Sequence, residues 1–237
     1  MKKLALILFS LVLLLANNSA YAQLSHPHFI SLNVGTNIPL SDYKELDSIV
    51  LGNATPGMYY SFEAGAFFSK VVGLGVNLGA FSNSVNNDDI LDQLKSDFNN
   101  RDEFTVESED WLNSYLMLGP YLSFGSEAFI MDLKLLGGFM NSAKPLINIE
   151  SETNEVQLSR SNEVSSLAFG FNYGIHFRIK LVGKLGLRLN AEGFMSSQEF
   201  ETKVQEIKAN SEPTTKNQTL EKDIQALNLG AGLALTF

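Results

Sequence analysis

The chain of 237 residues contains no cysteine, one tryptophan and three histidines. The missing cysteine excludes a disulfide framework, a thiolate metal site and a lipid-modified cysteine together. Past the first two dozen residues the chain also lacks the ~20 consecutive apolar residues that a membrane-spanning helix needs. Any insertion into a bilayer must therefore use strands. Positive charge is in short supply: 17 basic residues stand against 26 acidic ones. That balance argues against nucleic acid as a partner.

What is present begins with an export signal. Lys2 and Lys3 form a basic start, Leu4 to Leu15 an apolar stretch, and Ala20-Tyr21-Ala22 a small-residue cleavage site, the three parts of a secretory leader. The expected division is a signal peptide over 1–22 and one mature domain over 23–237, with neither linker nor long repeat. Without Lys2 and Lys3, 15 basic residues face 26 acidic ones, a net charge of −11.

The mature chain alternates with period two in eight runs, the signature of half-buried strands. Ile30, Leu32 and Val34 alternate with Ser31, Asn33 and Gly35, and Met58, Tyr60 and Phe62 with Tyr59, Ser61 and Glu63. Runs follow over 72–80, 112–124, 129–136 and 167–179, then over 185–192 and 227–237. The clearest sets Leu167, Phe169, Phe171, Tyr173, Ile175, Phe177 and Ile179 against Ala168, Gly170, Asn172, Gly174, His176 and Arg178. Gly73, Gly75 and Gly79 share one face of a strand, which sets them apart from a phosphate-binding loop.

Connections alternate in length. Tight turns fall near Ser69 and Lys70, Gly125 and Ser126, and Leu181 to Gly183, whereas 36–57, 82–110, 141–163 and 197–223 are long. The expectation is an all-β, eight-stranded antiparallel up-and-down transmembrane β-barrel with short periplasmic turns and long extracellular loops. Bulky apolar residues on one face and glycine or asparagine on the other suit a lipid-facing exterior and a crowded lumen. A soluble barrel would reverse that arrangement.

The four long loops carry 22 acidic and nine basic residues, so the charge is concentrated on one side of the membrane. This reads first as a solvated surface; divalent cations bridging these carboxylates to anionic lipid is the sharper alternative. Asp88 to Phe98, after an Asn87 cap, has Ile90, Leu91, Leu94 and Phe98 at helical spacing. Ile147 and Ile149 are expected to face Val156 and Leu158 in one protruding hairpin, and Phe200, Val204 and Ile207 to lead to a Pro213 tip in another. Trp111, Tyr59, Tyr60 and Tyr121 are expected in interfacial girdles.

On the inward face Glu63, Asp132 and Glu192 balance Lys134, Arg178 and Arg188, which predicts a packed, near-neutral ion-pair network rather than a pore. His176 joins it as a lumenal hydrogen-bonding residue, with no motif around it that would make it the base of a serine nucleophile. His26 and His28 read as tail residues. No residue pattern points to catalysis, a cofactor or a metal.

The leader, the eight runs and the ending Leu233-Ala234-Leu235-Thr236-Phe237 resemble small outer-membrane barrels of the OmpA/OmpX type, and the strand style resembles PorT-type, porin-family barrels of Bacteroidota. The resemblance covers nearly all of the mature chain and rests on pattern. It implies the cell outer membrane, contact with outer-membrane lipid, and Phe237 as the signal read by the barrel-assembly machinery during insertion. It further implies a non-enzymatic role in which the loops meet a protein partner in adhesion, envelope organisation or secretion. A small porin-like channel is the competing reading.

Overall fold

Alternating residues need a partner on both edges of every strand, and a closed ring supplies it. The computed structural model describes residues 28–46, 49, 51–97, 104–151, 156–159, 165–208 and 214–237. The leader, His26, Phe98 and Pro213 lie outside them. In chain order the elements are β1 (Phe29–Leu40), a 3-10 turn (Ser41–Tyr43), β2 (Gly57–Phe67), β3 (Val72–Asn83), α1 (Asn87–Asp97) and β4 (Phe104–Ser108). They continue as β5 (Trp111–Gly125), β6 (Phe129–Ala143), β7 (Ile147–Ser151), β8 (Val156–Ser159), β9 (Ser165–Val182), β10 (Leu185–Lys208) and β11 (Thr214–Thr236).

Eight of these strands, β1-β2-β3-β5-β6-β9-β10-β11, form an antiparallel ring that β11 closes against β1. The closing register sets Ile30 opposite Leu235 and Leu40 opposite Gln225. The register shifts between Leu185 and Gly186 where β10 pairs β9, and the ladder is interrupted between β5 and β6. Pairing stops after Leu118↔Gly137 and resumes at Tyr121↔Lys134, because Pro120 has no N–H to donate.

The barrel is apolar outside and polar within. Leu32, Leu78, Leu118, Leu167, Phe169 and Leu233 all point outward and are more than half exposed, an apolar surface far larger than water tolerates. No helix among the described residues is long and apolar enough to cross a membrane. The crossing is made by strands of 11 residues or more, long enough to traverse the hydrocarbon at a tilt. At the turn end Phe68, Phe124, Phe129 and Phe237 point outward and form an interfacial aromatic set.

The expected girdle is otherwise corrected. Tyr60 faces outward, but Trp111, Tyr59 and Tyr121 are fully buried inside. Their strand positions decide this: they alternate with Leu112, Tyr60 and Leu122, and a strand cannot turn successive residues to one side. Glycines make room for these rings. A Cβ at Gly75 would stand 2.4 Å from Tyr121 Cε2, and one at Gly230 would stand 2.4 Å from the Tyr59 hydroxyl.

Above the membrane the chain folds instead of trailing in solvent. β10 and β11 stay paired from Leu185↔Leu235 out to Glu206↔Thr214, far beyond the bilayer. In the other loop β7 pairs with β4, β8 extends the sheet along β10, and β7 and β8 lie beside each other; the side chains of Val156 and Leu158 lie outside the described residues. An isolated two-stranded hairpin has no core. Pairing of β7 with β4 accompanies burial of Ile147 and Ile149 in one cluster with Leu51, Val85, Ile90, Leu94 and Trp111. The helix appears as α1, with Ile90 and Leu94 on its buried face. Its first turn is held by Asn86, whose Oδ1 accepts the Asp88 N–H at 3.2 Å, while Asn87 Oδ1 accepts the Ser108 hydroxyl.

Candidate functional site

The lumen and its two ends are where chemistry could occur, and the lumen is dominated by charge. Lys134 on β6 lies 3.0 Å from Glu63 on β2 and 3.1 Å from Glu192 on β10. Arg188 on β10 reaches Glu63 at 3.1 Å and Asp132 at 3.9 Å. Arg178 on β9 donates Nε–H to Asp132 Oδ2 at 2.7 Å and Nη2–H to Oδ1 at 2.8 Å, a two-pronged pair. The six residues named from the alternation thus meet in one buried network, three positive against three negative.

Neutral donors complete it. The Tyr121 hydroxyl donates to Glu63 and the Ser123 hydroxyl to Asp132. Asn77 and Asn172 each donate to Glu192 Oε2 at 3.3 Å. The guanidinium carbons of Arg188 and Arg178 lie 4.2 and 4.5 Å from the centre of the Phe29 ring, where the ring face attracts cations. Such partners are what let charges remain away from water. Tyr121, Ser123, Asn77 and Asn172 stand at inward positions of recognised strands, so alternation held the signal for them, although charge alone drew attention to the other six.

Glu63, His176 and Glu192 also have ligand atoms within 4.8 Å of one another, a spacing a metal ion could bridge. Their hydrogen bonds point elsewhere. Arg188 donates Nε–H and Nη2–H to His176 Nδ1 at 2.9 and 2.6 Å. Arginine has no acceptor, so the Nδ1 lone pair is engaged and the ring proton sits on Nε2, 3.6 Å from Glu192 Oε1. The donor set is already matched by Lys134 and Arg188. Among the described residues no serine hydroxyl bonds to His176, and the Gly73, Gly75 and Gly79 run lies within β3.

A second seal lies at the extracellular end. The 3-10 turn drops Tyr43 into the barrel mouth, where its hydroxyl donates to Asn83 Oδ1 at 3.0 Å and accepts from Asn113 Nδ2 at 2.9 Å. Its ring stands edge-on to Trp111 at 5.5 Å, and Trp111 edge-on to Phe200 at 5.7 Å. Burial raises the Tyr43 phenol well above its usual range. Lys144, just past β6, is pushed down to about 8 by burial. Nothing in the first loop's pattern marks Tyr43 as a plug, since its partners come from β3 and β5.

At the periplasmic end His28 is no loose tail: its Nδ1 accepts the Phe67 N–H at 3.0 Å, and its ring stands 6.3 Å from that of Phe237. Phe237 in turn donates its N–H to the His28 carbonyl. The two ends of the ring are thereby tied where β1 and β11 meet.

No model of a known protein family matches the chain, and no curated protein matches it. Solved structures do. A major outer membrane protein from Thermus thermophilus is 13% identical over 90% of this chain and 100% of its own, with a TM-score of 0.51. OprG from Pseudomonas aeruginosa is 13% identical over 89% of this chain and 96% of its own, TM-score 0.46. Ail, the attachment invasion locus protein of Yersinia pestis, is 12% identical over 87% of this chain and 98% of its own, TM-score 0.43. The closed antiparallel ring, its apolar exterior and its charged interior make this chain a β-barrel of the outer membrane.

Proposed function

We propose that the protein is a non-enzymatic outer-membrane barrel that works through its extracellular side, as a platform for envelope organisation, adhesion or a secretion-associated complex of the PorT kind. The observation that carries this reading is the doubly closed interior. The Glu63–Lys134–Glu192–Arg188–Asp132–Arg178 network fills the middle, and Tyr43, Trp111 and Phe200 fill the outer mouth. What is left to act is the folded cap, whose hairpin and α1 carry the acidic loops toward a protein partner. Outer-membrane lipid surrounds the belt, and Phe237 ends the strand that the barrel-assembly machinery would recognise.

The test is conductance of the purified barrel in planar bilayers, combined with proteolysis of intact cells. The platform reading expects no steady current and cuts confined to the extracellular segments. A steady open current that disappears in no mutant of the cap would overturn it in favour of the porin-like channel.

A further inference from the structure

We infer that the periplasmic mouth of the barrel is a binding site for a phosphate anion. Below the Arg178–Asp132 pair lies a cavity of about 600 Å³, open to the periplasmic side and lined by residues from all three tight turns. Its charged residues are Lys70 from the β2–β3 turn, Glu127 from the β5–β6 turn, Lys180 at the end of β9, Lys184 from the β9–β10 turn, and Arg178 on the floor. Arg178 is satisfied by Asp132, and Lys180 faces Glu127 at 3.5 Å. Among the described residues Lys70 and Lys184 have no ion-pair partner.

Two lysines without an ion-pair partner among the described residues therefore line one concave space from separate turns, with Phe237 beside them. A phosphate monoester carries about −1.5 to −2 at neutral pH, which matches that pair in charge, while a lipid phosphodiester, singly charged, matches it in sign. Lysine ammonium groups bind phosphate as mobile point charges and reach it without a fixed geometry. The site contrasts with the opposite end of the molecule, where the loops are acidic, so an anion meets attraction only from the periplasmic side. Gly183 takes φ +58°, a conformation open to glycine, in the tight turn that carries Lys184 to the rim. The phosphate has two sources, a soluble phosphoanion and the headgroup of a lipid in the periplasmic leaflet.

Calorimetric titration of the full barrel with inorganic pyrophosphate, in nanodiscs of phosphatidylcholine and in nanodiscs containing phosphatidylglycerol, separates them. Saturable heat in the neutral discs is expected, at least tenfold weaker in the K70Q/K184Q variant and unchanged in K95Q, which alters an exposed lysine of α1. Retention of that heat in the anionic discs identifies the soluble anion as occupant. Its suppression there, at a lipid content that leaves the K95Q and unaltered proteins equally suppressed, identifies the headgroup. Absence of heat in the neutral discs overturns the inference, as does an equal loss in K95Q. Thermal unfolding of each variant confirms that the folded barrel is what is titrated.

Discussion

Arg188 donates two hydrogen bonds to a single nitrogen of His176 while its guanidinium also lies 3.1 Å from Glu63. One side chain thus holds a neutral ring and a carboxylate, both fully buried, in fixed orientation. Replacing Arg188 with Met leaves Glu63 short of its nearest cation but one and frees His176. A loss of about 3–5 kcal/mol is expected, the cost of stranding one buried charge. Urea unfolding in lipid vesicles measures it, and adding E63Q should restore a large part.

Tyr121→Phe removes the hydroxyl that donates to Glu63 and changes nothing else in shape. The expected cost is about 1.5–3 kcal/mol, the worth of one hydrogen bond to a charged group, since Glu63 Oε1 keeps its bond from Lys134. A stability equal to that of the unaltered protein in the same assay would show that another donor takes over.

Gly65 lies against Phe29, whose Cε1 would be 2.4 Å from an added Cβ. Gly65→Ala should cost about 1–3 kcal/mol by overpacking. All three of its nearest contacts are atoms of the Phe29 ring, so F29L in the same chain should recover part of the loss. Failure of that rescue would place the strain in the backbone.

Trp111 joins the lumen to the cap through its contacts with Tyr43 and Phe200. Trp111→Ala should open the outer mouth while the ring of strands stays closed. The expected signs are faster cleavage of the 36–57 connection on intact cells and a small current in planar bilayers. A change in the first without the second would mean that the charge network alone blocks ions.

The amine of Lys144 is held down to about 8 by burial, below its usual 10.5. Its folded value is the lower one, so the unfolded loop binds more protons between those values. The penalty is fully present below about pH 8 and is relieved as the pH rises toward 10.5. Protease protection around the end of β6 should therefore increase from pH 7 to pH 10. Carbon NMR of the Lys144 ε-methylene should show a midpoint near 8, and a midpoint near 10.5 would remove the effect.

The sequence by itself determined the ring. Alternation has a period of two whatever surrounds it, so Leu32 and Asn33 cannot share a face, and each inward position, Glu63 and Arg178 among them, follows from counting along its strand. Unequal connection lengths set which end holds the turns and which the loops. Tertiary structure alone decided what counting cannot reach. Which carboxylate meets which cation depends on stagger between strands far apart in the chain, as in the Arg178–Asp132 pair. Counting also puts Trp111 on the face opposite Leu112, but that it packs there between Tyr43 and Phe200, and that β7 pairs with β4, depended on which partners the folded loops bring. The first loop has no period at all, so the place of Tyr43 in the mouth was settled only by the hydrogen bonds and ring waiting there from β3 and β5.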